Sequence, residues 1–140
     1  MTVPSARTIL RRMKITVTSV MVDDQAKAHE FYTKVLGFVV KHDVPMGEHR
    51  WLTVVSPEGP ADVELLLEPT AFPPSKVYQK ALFEAGIPLT SFGVQDCQKE
   101  YERLTKLGVV FRGPPATAGG VIAATFEDTC GNLIGMHQVV

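Results

Sequence analysis

The sequence predicts an α+β protein built from two tandem β-α-β-β-β modules. Three observations carry that expectation. The chain repeats itself: "TSVMVDDQAKAHEFYTKVLGF" from Thr18 is echoed by "TSFGVQDCQKEYERLTKLGV" from Thr90. Each copy opens on a β-branched run that passes into an amphipathic helix. Each helix is then followed by three short runs of strand character separated by turn-forming residues.

The repeat is specific at polar positions. Thr18 matches Thr90, Ser19 matches Ser91, Asp24 matches Asp96, Lys27 matches Lys99, and Glu30 matches Glu102. Thr33 and Lys34 match Thr105 and Lys106. After a slip of one residue, Leu36-Gly37 matches Leu107-Gly108. Two unrelated amphipathic helices would share apolar spacing but not these identities, so the repeat reads as a duplication. It divides residues 13–140, a single domain, into module one (14–70), a connector with its own helix (71–87) and module two (88–140). Residues 1–12 lack periodic apolar positions and precede Met13-Lys14, and are expected to be a loose extension.

In module one, Ile15–Val22 reads as a strand ending at Asp23-Asp24. Asp24 can cap a helix, since its carboxylate accepts the first unpaired N–H groups. Ala28, Phe31, Tyr32, Val35 and Leu36 recur at helical spacing, and Gly37 closes the helix. Strands are expected at Phe38–Val44, Arg50–Ser56 and Val63–Glu68. The connector predicts a helix over Lys76–Glu84, with Ser75 as its cap. Module two predicts a strand over Leu89–Val94, a helix from about Cys97 to Leu107, and strands at Val109–Arg112, Val121–Glu127 and Leu133–Val139. Residues 113–120 read as a turn or mobile loop, with Gly119-Gly120 a hinge candidate.

Strand alternation then sorts the faces. Val20, Val22, Phe92 and Val94 are expected under the helices, with Leu52, Val54, Ala124, Phe126, Val63, Leu65 and Leu67. The opposite face would carry Val17, Ser19, Met21, Trp51, Thr53, Glu64, Leu66 and Glu68 in module one. In module two it would carry Leu89, Ser91, Gly93, Ala123 and Thr125. A carboxylate on a concave face needs a partner, because burying it alone is costly.

Composition excludes several classes. The formal net charge is −1 and the basic residues are scattered. No electrostatic footprint for nucleic acid or a membrane surface results. No apolar run reaches the roughly 18–20 residues of a membrane span. The two cysteines, Cys97 and Cys130, make no disulfide framework, and with no secretory signal in residues 1–12 a cytoplasmic location is expected.

The paired modules, the "FYTKVLGF" helix and the "D-x-x-GN-L-I" ending (Asp128, Gly131, Asn132, Leu133, Ile134) together resemble the vicinal oxygen chelate superfamily over residues 14–140. That superfamily includes glyoxalase I, extradiol dioxygenases, fosfomycin resistance enzymes and bleomycin-binding proteins. The resemblance implies a cupped, partly closed mixed sheet with helices outside, a homodimer, and in the enzymes one divalent metal held in the cup. It places the four metal-ligand positions at Val17, Glu64, Leu89 and Gly135. Only Glu64 offers a donor, and a catalytic site needs about three.

The expectation is therefore a protein that binds a small organic ligand and has lost the metal and its ligands, with no other cofactor. Its lining would be Val17, Ser19, Met21, Trp51, Thr53, Glu64, Leu66, Leu89, Ser91, Gly93 and Gly135. Glu64 would be the one charged group inside, a candidate for metal-free acid–base chemistry, titrating above an ordinary Glu if water is excluded. Trp51 could stack on a flat guest. Sequestration of a toxic or antibiotic compound is one version of this reading. The alternatives are a metal-dependent lyase, isomerase or dioxygenase with relocated ligands, Glu64 with His137, and a structural or regulatory dimer without ligand. His29, His42 and His49 read as surface residues. Arg50 is expected to pair with Glu48, and Cys97, at a helix start that favours a thiolate, has no histidine partner.

Overall fold

The computed structural model describes residues 12–140. The expectation for the amino-terminal extension therefore lies, but for Arg12, outside the described residues. β1 (Val17–Val22) leads into α1 (Gln25–Glu30), which continues as a wider π-helical turn over Phe31–Val35. β2 (Val39–Met46), β3 (His49–Val55) and β4 (Glu64–Pro69) complete module one. α2 (Pro73–Ala85) forms the connector. β5 (Thr90–Gly93), α3 (Cys97–Lys106), β6 (Ala116–Ala118), β7 (Val121–Glu127) and β8 (Leu133–Val139) form module two.

The duplication is reproduced in topology and in detail. The sheets have the orders β1-β4-β3-β2 and β5-β8-β7-β6, with β1 parallel to β4 and β5 parallel to β8. Asp24 caps α1 by accepting from the Lys27 N–H at 3.0 Å, and Asp96 caps α3 by accepting from the Lys99 N–H at the same 3.0 Å. Both carboxylates satisfy a donor that the helix itself leaves unpaired.

Three local expectations need correcting. α2 begins at Pro73, three residues early, because proline at the first helical positions loses no hydrogen bond there. Ser75 is inside that helix and its hydroxyl donates to the Phe72 carbonyl instead of capping. Residues 110–112 make only a bridge to β7, at Phe111 and Phe126, and the edge strand resumes as β6 inside the segment expected to be loop. Gly113-Pro114-Pro115 interrupts it, since proline donates nothing to a ladder. Gly119 and Gly120, both with positive φ, make the tight hairpin turn from β6 to β7.

A single core joins the modules. Val20, Val22, Leu52, Val54 and Leu67 of the first sheet share it with Ala124, Phe126, Ile134 and Met136 of the second. α1 contributes Ala28, Phe31 and Tyr32, and α3 contributes Cys97 and Leu104. Phe31 packs on Phe126 across the module boundary, and Phe38 meets Phe92 edge to face at 5.3 Å. The helices thus lie on the faces opposite Ser19 and Ser91. Among the described residues no strand pairing joins the two sheets, so the partly closed cup is not closed within one chain.

The two sequence signatures meet at this boundary. The Tyr32 hydroxyl, from the first helix, donates to Asp128 at 2.6 Å, and both residues are fully buried. Asp128 also accepts from the Cys130 and Asn132 N–H groups and from Asn132 Nδ2. Asn132 Nδ2 and Gln79 Nε2 both donate to the Met21 carbonyl. The carboxy-terminal signature is therefore a polar clasp that fastens module two to β1, α1 and α2. Gly131 is required within it. Its φ is +96°, and a Cβ there would stand 2.8 Å from the Gln79 side chain. Gly131→Ala should lose roughly 2–4 kcal/mol in urea denaturation, from left-handed backbone strain and displacement of Gln79. A loss below about 0.5 kcal/mol would show that Gln79 gives way freely.

Candidate functional site

The face of the first sheet turned away from the core is a polar centre in an apolar field. Thr53 on β3 is fully buried there and its hydroxyl donates to Glu64 Oε1 at 2.7 Å. Glu64 keeps 13% of its side chain exposed. Around this pair, Val17, Val39, Val44, Met46 and Trp51 are all exposed on the same face. Exposed apolar residues gathered about a few polar groups are the usual composition of a binding surface.

His42 is exposed, as expected, but it also joins the centre, which the sequence did not indicate. Val40 pairs with Val54, yet His42 pairs with Thr53, so Lys41 is an extra residue in β2. Without this bulge His42 would oppose Leu52 and face the core. The bulge turns it to the open face. Its Nδ1 lies 2.8 Å from Glu64 Oε1, and its backbone N–H donates to the Thr53 hydroxyl at 3.2 Å. Lys41 Nζ stands 3.8 Å from Glu64 Oε2. Bonds from Thr53 and His42, with the Lys41 ammonium nearby, hold the Glu64 carboxyl below the usual Glu range. The expectation of a raised value is thereby reversed: donors outweigh the modest burial.

The open face of the second sheet differs in kind. Its centre is small, with Ser91, Gly93, Ala123, Thr125 and Gly135, while His137 shares the face and Val121 and Val139 stand toward one end, with Ala116 and Ala118 at the edge. Ser91 Oγ is 2.7 Å from His137 Nδ1. Gly135 does not leave a vacant space, because a Cβ there would lie 3.0 Å from Ser91 Oγ. Leu89 precedes the first residue of β5 and packs partly buried against the core. The module-one residues Val17, Ser19, Met21, Trp51, Thr53, Glu64 and Leu66 do share one sheet face, although the Met21 carbonyl serves the clasp. Ser91, Gly93 and Gly135 share another. The fold thus brings the predicted lining together as two half-surfaces.

Strand register also revises the metal positions. Ser19 and Ser91 are repeat mates; their partners are Leu66 and Gly135. The module-one counterpart of Gly135 is therefore Leu66, and Glu64 stands one inward–outward step earlier, opposite Val17. Glu64 and His137 lie on different sheets. Among the described residues no three His, Cys, Asp or Glu side chains converge. Within one chain Glu64 and His42 are a two-donor set, short of the three or so a divalent catalytic metal takes.

Other candidates fall into structural roles. Arg50 pairs with Asp43 through two 3.0 Å bonds, not with Glu48, because Asp43 lies on the adjacent strand. His49 stays exposed at the start of β3, away from the polar centre, and His29 approaches Glu30. The Cys97 thiol is pushed up by burial and then by Asp96, opposite to the thiolate expected at a helix start. An open cleft of about 970 Å³ runs along the module boundary between Phe38, Phe92, Arg103 and Met136. Of the predicted lining it includes only Gly93.

Paired modules with two open sheet faces, one built around a polar centre, define a duplicated α+β protein whose faces suit small-molecule recognition. The chain belongs to the Glyoxalase/Bleomycin resistance protein/Dioxygenase superfamily, whose family model matches residues 14–136. It is 56% identical to the uncharacterized protein YurT of Bacillus subtilis (strain 168) over 126 residues, covering 90% of this chain and 99% of that one. Among solved structures, UcmS2 superposes with a TM-score of 0.77 at 30% identity, covering 91% of this chain and 98% of that one. TnmS3, an antibiotic binding protein from Streptomyces sp. CB03234, gives a TM-score of 0.70 at 31% identity, covering 94% and 99%. No helix among the described residues is long and apolar enough to cross a membrane.

Proposed function

We propose that this protein binds an apolar or aromatic small molecule against the open face of its first sheet, as a sequestering protein with no resident metal. The observation that carries the reading is the ring of exposed Val17, Val39, Val44, Met46 and Trp51 around Thr53, Glu64 and His42. The likeness to an antibiotic binding protein supports the ligand class. A second copy of the chain supplies the opposite wall. The support for this is complementarity: the first open face carries the bulky Trp51, Met46 and valines, and the second is small at its centre, at Ser91, Gly93, Ala123, Thr125 and Gly135, with His137 beside Ser91. A homodimer that sets one against the other encloses the guest, which neither face does alone.

A screen of aromatic compounds by thermal shift and Trp51 fluorescence should return ligands that Trp51→Ala weakens about tenfold or more, the worth of a lost aromatic contact. Light scattering should give twice the 15.3 kDa chain mass. A monomer at working concentration would remove the second wall. One metal per chain that Glu64→Gln releases would replace this reading by metal-dependent chemistry.

A further inference from the structure

We propose that His42 is the ligand-facing proton acceptor of this face, and that its partner is an acidic hydroxyl, phenolic or enolic, on a flat guest lying against Trp51. This rests on the binding reading above and names the ligand chemistry it implies.

Two independent features point to it. The first is the bulge. An extra residue in an antiparallel strand disrupts the ladder, and here its geometric consequence is to turn His42, and with it Val44 and Met46, from the core face to the open face. The second is the hydrogen-bond arrangement. Glu64 Oε1 is engaged by both Thr53 and His42, so it is not free to act on a guest. With a carboxylate at Nδ1, the neutral imidazole keeps its proton there and presents Nε2 as an acceptor. Among the described residues Nε2 has no protein partner, and 46% of the side chain is exposed. Glu64 is thus a positioning residue, and His42 is the group that reaches the guest.

The charges support transfer of the proton as well as a hydrogen bond. The guest O–H bond breaks, its electron pair stays on oxygen, and the proton forms the Nε2–H bond of an imidazolium. The Lys41 ammonium offsets the Glu64 charge. Glu64, bonded to Nδ1 at 2.8 Å, steadies the new imidazolium, which stands beside the guest anion. A hydroxyl acidic enough to share its proton with imidazole is held better than an alcohol, and an ether offers His42 nothing.

The test uses 4-nitrophenol and its methyl ether, 4-nitroanisole, with the full chain in mildly acidic buffer, where the free phenol is largely protonated. Binding is read by Trp51 fluorescence and ionisation by the phenolate absorbance. The wild type should bind the phenol roughly 10- to 100-fold tighter than the ether, the range of one charge-assisted hydrogen bond. The bound phenol should show the phenolate band. His42→Ala should abolish both the preference and the band, bringing phenol and ether to the same affinity. Glu64→Gln should weaken the band with His42 still present. Equal binding of phenol and ether, or a preference indifferent to His42→Ala, would overturn the assignment and leave the binding reading standing. Failure of both probes to bind would overturn the binding reading for aromatic guests and this assignment with it.

Discussion

Asp128→Ala should destabilise the chain by more than about 4 kcal/mol, enough to remove most of the 5–15 kcal/mol typical of a domain this size. The carboxylate accepts from the Tyr32 hydroxyl, the Cys130 and Asn132 N–H groups and Asn132 Nδ2, all within a fully buried clasp. Alanine removes the acceptor and leaves these donors without it, and each buried donor left unmade costs about 1–3 kcal/mol. Tyr32→Phe removes a single donor and should cost about 1–2 kcal/mol. Added to Asp128→Ala it should cost little more, because the bond is already gone. Urea denaturation of the two single variants and the double variant measures all three. A loss under about 1 kcal/mol for Asp128→Ala would mean that water replaces the carboxylate in the clasp.

Stability should also fall as pH rises from 9 toward 12, through the Cys130 thiol. Burial, then the charges of Asp128 and Asp23, push that thiol up from 9.0 to about 12. Below pH 9 the thiol is protonated in both states and contributes no pH dependence. Above it the unfolded chain ionises and gains free energy that the folded chain cannot, until the folded value is reached. Three units correspond to on the order of 4 kcal/mol. The Tyr32 hydroxyl acts in the same direction, raised well above 10.0 by burial and then by Asp128, so its share begins later. Cys130→Ala should therefore be flatter than the wild type between pH 9 and 10, before Tyr32 titrates in the unfolded chain. Equal slopes there would show that the thiol reaches solvent without unfolding.

The local patterns were readable because each arises from neighbours in the chain. Asp24 and Asp96 cap helices through N–H groups three residues on, and alternation sorted Val20 from Ser19 and Leu52 from Thr53 without long-range information. The duplication then carried the topology, since two chains of like pattern meet like constraints. The "D-x-x-GN" signature was visible, but not its purpose: Tyr32 and Asp128 are 96 residues apart, and only packing brings them to 2.6 Å.

The polar centre shows the same division. Sequence alternation put Glu64, Thr53 and Trp51 on one face. A bulge has no reliable signal in residue identity, because it is the strand partner that decides which residue is extra, so His42 stayed hidden until Val40 and His42 were seen opposite Val54 and Thr53. The charge state of Glu64 was likewise undecided by its position, which indicated burial; the donors that lower it come from β2 and β3. By itself the sequence determined two modules, their strand faces and the family. Tertiary structure alone decided that the predicted lining divides between two open faces, that Glu64 is held as an anion, and that His42 stands beside it. The physical reason is that strand register and hydrogen-bond partners are set by contacts between segments distant in the chain.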